Sequence, residues 1–160
     1  MRETKTMSAE YDRELHALRR EIQLEGARPT IIDRYVQALL TCGGDNLAAD
    51  LLTALSDEAA YDEGMFSLIH AAESLDGAPF GSYVFALLSI FPALMASSPR
   101  WASIVLMRVM NDDSSRHELV RQIRAAPAPT REAVRVMCDR INAVSPEFLR
   151  RTVPVTLASA

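Results

Sequence analysis

From Asp62 to Asn111 the chain reads DEGMFSLIHAAESLDGAPFGSYVFALLSIFPALMASSPRWASIVLMRVMN. This stretch holds the single Trp and four of the five Phe. It divides at two stop signals, Asp76-Gly77 and Ser98-Pro99, into three apolar segments of helical length. Met65, Phe66, Leu68, Ile69, Ala72 and Leu75 make the first segment apolar around most of its circumference, the composition of a central helix. Phe80, Val84, Leu87, Leu88, Phe91 and Met95 keep register in the second, where Pro92 predicts a kink or an early end. Trp101, Ile104, Val105 and Val109 carry the third, with Trp101 as its core anchor. A chain with such a centre folds by surrounding it with more helices.

The flanks have the same period. Tyr11, Leu15, Leu18 and Ile22 predict a helix over 8–24, and Ile31 to Leu40 a second over 30–41. Asp45 reads as the cap of a third, 46–55. Beyond Asn111, helices are expected over 114–125 and from Thr130, parted by Pro127 and Pro129, and a short one follows Ser145-Pro146 to about Arg151. Residues 1–7 and 152–160 are expected as frayed or surface tails. No segment alternates apolar and polar residues for long, so no strand is expected. The expectation is an all-α single domain over 1–160, with eight or nine short helices in antiparallel pairs. An armadillo- or HEAT-like curved stack fits best, with an irregular bundle as runner-up.

Charge is distributed unevenly. Residues 1–34 carry seven basic and seven acidic side chains, and residues 35–99 have eight acids and no Lys or Arg. Residues 100–160 carry ten Arg and six acids. This asymmetry bears on partners rather than on fold. The basic end has no interleaved aromatics, so nucleic-acid binding is not expected. No apolar run approaches the roughly 20 residues of a membrane span. With Cys42 and Cys138 far apart and in no CxxC pair, the chain reads as a cytoplasmic protein with buried thiols.

His70 and Glu73 share a helix face, but His16 and His117 lie in polar flanking helices, and no third metal ligand presents itself. Ser67 stands near His70 without an elbow or an oxyanion hole, and Gly43-Gly44 lacks phosphate-loop spacing. Catalysis, a cofactor and a metal are not expected. His70, Glu73, Arg108 and Asn111 read as a buried structural polar network, since burying Glu73 alone would cost several kcal/mol. The acidic elbow 56–63, with Asp57, Glu58, Asp62 and Glu63, can steer and pair with a basic partner.

Leu68, Ile69, His70 and Glu73, then Pro99, Trp101, Ala102, Arg108 and Asn111, follow one another in a recognisable order. In these elements, over roughly residues 50 to 125, the chain resembles immunity protein family 30 of bacterial polymorphic toxin systems. The segment 76–82 is longer than the family's pattern leads one to expect. The resemblance implies an all-helical cytoplasmic protein that binds and neutralises a cognate toxin domain, and it supplies no catalytic residues. A basic, nuclease-type toxin would suit the acidic middle, with Asp57, Glu58, Asp62 and Glu63 as interface candidates. The alternative is a helical-repeat adaptor of an unrelated pathway.

Overall fold

The computed structural model describes residues 2–160, with side chains from residue 7 onward. Among the described residues there are nine α-helices and no strand, so the protein is all-α. The helices are α1 (Arg2–Glu25), α2 (Pro29–Cys42), α3 (Leu47–Thr53), α4 (Asp62–Ser74), α5 (Tyr83–Ser97), α6 (Pro99–Asn111), α7 (Asp113–Ile123), α8 (Ala128–Val144) and α9 (Leu149–Ala158). The chain resolves into two compact units, 1–83 and 84–160.

In the first unit α1 and α2 pack together across the turn 26–28, and α4 packs on both α2 and α3. Leu15, Leu18 and Ile22 of α1 bury one stripe, and Ile32, Val36 and Leu39 of α2 bury another. Both stripes follow the period of about 3.6 residues that the sequence displays. Leu47, Leu51 and Leu52 add α3, while Met65, Leu68, Ile69 and Ala72 add α4. The Tyr11 hydroxyl donates to Asp50 Oδ2 at 2.5 Å, tying α1 to α3. Burial and the adjoining Asp50 carboxylate push the Tyr11 phenol upward, so it stays protonated.

In the second unit α6 packs on α7 and α9, and α7 and α8 also pack on α9. Trp101, Phe91, Val105, Leu106, Leu119, Val134 and Val155 are buried. Asp112 caps α7, its Oδ2 accepting from Ser115 N at 2.8 Å, and this bond lowers the Asp112 carboxyl below its ordinary range.

Four local expectations are corrected. Pro92 does not stop α5, which runs on to Ser97, because Phe91 and Leu94 continue the buried stripe on either side of the proline. Residues 152–160 are not a surface tail. A 3-10 turn at Pro146–Phe148 leads into α9, which buries Thr152 and Val155 despite Pro154 inside it, and Ser159 is buried just past its end. The Thr152 hydroxyl donates to Asn142 Oδ1 at 2.8 Å, holding α9 to α8. At the other end α1 begins at Arg2 rather than near Ser8, and Met1 lies outside the described residues. The cap of α3 also shifts, from Asp45 to Asn46, with no side-chain hydrogen bond.

Candidate functional site: the acidic elbow

The elbow that joins α3 to α4 is built by close backbone packing. The Tyr61 amide donates to the Gly26 carbonyl at 3.0 Å, which fastens the elbow to the α1–α2 turn. At Gly26, whose φ is +77°, a Cβ would lie 2.6 Å from the Cβ of Ala60. At Gly64, in the first turn of α4, it would lie 2.2 Å from the Ala27 carbonyl oxygen. Both glycines are therefore steric requirements of the approach. Inside the elbow the Ala59 amide donates to the Ser56 carbonyl and the Glu58 amide to Ser56 Oγ, each at 3.2 Å.

The turn beneath it is braced by Glu21. This carboxylate is only 6% exposed and accepts from Arg28 Nε at 2.7 Å and from Arg28 Nη2 at 2.8 Å. The Arg28 amide adds a third bond at 3.2 Å. The Arg28 hydrogen bonds lower the Glu21 carboxyl below its ordinary value, against the opposing effect of burial. A charge is thus sited beneath the elbow with three hydrogen bonds to its carboxylate.

On this frame Glu58 and Glu63 are exposed, and Asp57 and Asp62 are half-buried. Asp62 and Glu63 occupy the first turn of α4, where the unbonded amides favour negative charge. So two of the four acids have a local structural role as well as a surface one. Their common result is an anionic, rigidly mounted edge with Tyr61, 45% exposed, between the two pairs.

The other residues singled out in the sequence fall elsewhere. Trp101 is fully buried in α6, and the Arg100 guanidinium lies 4.8 Å from its ring centroid. The expectation of a buried polar network is corrected at two of its members, because His70 and Asn111 are exposed. The buried stripe of α4 runs through Met65, Leu68, Ile69 and Ala72, which turns His70 outward against Phe66, ring centroids 6.2 Å apart. Asn111 is the last residue of α6 and follows the buried Met110. Glu73 and Arg108 are half-buried. Among the described residues no group of three or more His, Cys, Asp or Glu is placed to hold a metal ion. Cys42 and Cys138 are both free and buried, and burial pushes the Cys138 thiol up to about 12. Among the described residues no helix is long and apolar enough to cross a membrane.

The model of a protein family, Immunity protein 30, matches residues 20–119. The chain belongs to this family. The match takes in the end of α1, α2 to α6 and the first part of α7, so it begins well before residue 50, where the resemblance in the sequence starts. The whole elbow frame, from Glu21 through Gly64, falls inside the Immunity protein 30 region, and α8 and α9 fall outside it. No curated protein and no solved structure matches the chain.

The braces of the elbow are what sequence reasoning missed. A Glu seven residues before an Arg-Pro pair and a glycine inside an apolar helix were the available signals, and neither reports which backbone comes close.

Proposed function

We propose that the protein is a stoichiometric inhibitor that binds a cognate toxin domain in the cytoplasm of the producing cell and covers its active site or an essential surface. It turns nothing over. The observation that carries this reading is the Immunity protein 30 match across residues 20–119. The acidic elbow supports the choice of contact surface. Glu58 and Glu63 project from a frame that neighbouring backbone and the Glu21–Arg28 pair hold in place. A preordered surface loses little freedom on binding, so more of its interaction energy appears as affinity.

The sign of the charge narrows the partner. With eight acids and no Lys or Arg over residues 35–99, the region repels anionic surfaces and draws in cationic ones. A toxin with a basic cleft, as a nuclease needs for phosphate, fits this surface. Asp57, Glu58, Asp62 and Glu63 would meet its Arg and Lys side chains and block access to the cleft.

The test is to look for a toxin domain encoded beside this gene and co-express the two, reading host survival and co-purification on a tag carried by one partner. Rescue with a one-to-one complex is the expected result. Host death without a complex overturns the reading and leaves the helical adaptor in its place.

A further inference from the structure

The second unit carries a surface of opposite character. Its 84–160 segment has ten Arg, no Lys and six acids. Helices α6 and α8 both pack on α9, and a groove of about 300 Å³ lies between them. Its floor is Met107, Met137 and Ile141, and Val144, 84% exposed, stands at one end. Arg100 and Arg140 line it as well, both exposed, and no carboxylate does.

Each feature of this groove selects an occupant. Methionine floors adapt to varied apolar side chains. The volume is at the bottom of the small-molecule range of about 300–1,000 Å³, the scale of a single anchoring side chain rather than a cofactor. Guanidinium groups offer paired donors that match carboxylate geometry. One wall, α6, lies within the family match and the other, α8, lies beyond it. The groove therefore combines a wall within the family region with one outside it, an arrangement suited to telling one partner from another.

We infer that the α6–α8 groove is a second docking surface, which takes an acidic segment of a protein partner, one apolar side chain seated on Met107 and Met137 and a flanking Asp or Glu carboxylate paired with Arg140. On the function proposed above, that segment belongs to the toxin, so the inference rests on that reading.

The test uses the full chain with its methionine methyls labelled for NMR and a catalytically inactivated form of the toxin domain encoded beside it. The Met107 and Met137 methyl signals are expected to shift on binding. Arg140→Glu should weaken binding at least tenfold, and Arg140→Lys should recover most of the loss. Ser103→Phe, which fills the groove from α6 without truncating the core, should weaken binding at least tenfold with the helical circular dichroism unchanged. Toxin binding with silent Met107 and Met137 methyls and wild-type affinity in Ser103→Phe overturns the groove and leaves the immunity reading standing. No binding by the wild-type chain overturns that reading, and the inference with it.

Discussion

Gly64 and Ala27 approach so closely that a methyl group on Gly64 would sit 2.2 Å from the Ala27 carbonyl oxygen. The contact sets how near the α1–α2 turn comes to the first turn of α4, and so where Glu63 is carried. Neither side can yield cheaply. Ala27 is fully buried with φ +69°, and the neighbouring Tyr61 amide is already bonded to Gly26. Gly64→Ala should therefore destabilise the protein by about 1–3 kcal/mol or somewhat more, the range of an overpacked core. Chemical denaturation measures it. A midpoint equal to wild type would show that the turn moves away from α4 without strain.

Glu21 gives the turn a pH dependence. Its folded-state pKa is lowered, chiefly by the Arg28 hydrogen bonds, below the ordinary value of 4.5. A lowered carboxylate contributes stability that is present above the unfolded value and lost as pH falls through the folded one. Glu21→Gln should then melt below wild type at pH 7, and the gap should close as pH drops below about 4.5 toward the folded-state value. Melting curves of both proteins across that range are the measurement. A gap that stays constant with pH would mean that packing, not charge, accounts for the difference.

How far the sequence could be read follows from which forces leave a local trace. Helix periodicity does, because each helix buries its own stripe, as Leu15, Leu18 and Ile22 do. It also placed Trp101 on the inward side of α6, where it is fully buried. Position on a helix is harder to read when the apolar stripe is wide. The apolar neighbours of His70 suggest an inward position, yet Ile69 and Ala72 take the buried side and leave it exposed. Neither Pro92 nor Pro154 ends its helix. A lost amide and a carbonyl clash cost about 3 kcal/mol, and buried side chains on both sides of the proline offset that cost. The elbow's acids were visible as composition. Its frame was not, because the Gly26–Ala60 and Gly64–Ala27 approaches join residues far apart in the chain.

Charge reversal of the exposed pair tests the elbow as a contact surface. Glu58→Lys with Glu63→Lys should slow association with the toxin domain tenfold or more at low salt. Raising the salt should narrow the difference, since exposed charges are screened beyond about 10 Å at 0.1 M. Stability should fall by no more than about 1 kcal/mol, most of it from placing a cation in the first turn of α4. Stopped-flow association at two salt concentrations, with melting as the control, separates the two effects. An unchanged on-rate in the folded variant would move the interface away from the elbow.

Trp101 offers the reverse experiment, a change that should reach stability while leaving the acidic elbow untouched. Its side chain is fully buried, and Val105, one turn along α6, is buried with it. Trp101→Ala should cost about 3–5 kcal/mol, because the lost transfer free energy is joined by a cavity that rigid helices cannot close. Trp101→Phe leaves a smaller void and should cost less. The stacking of Arg100 on the indole supplies a further control. Arg100→Ala should lower stability by about 1 kcal/mol or less, the worth of an exposed cation–π contact. Denaturation midpoints of the three variants should thus rank Trp101→Ala as the most damaging and Arg100→Ala as the least. At a temperature where Trp101→Phe is still folded, it should bind the toxin domain with wild-type affinity. If Trp101→Phe stays folded yet loses binding, Trp101 shapes the contact surface as well as the core.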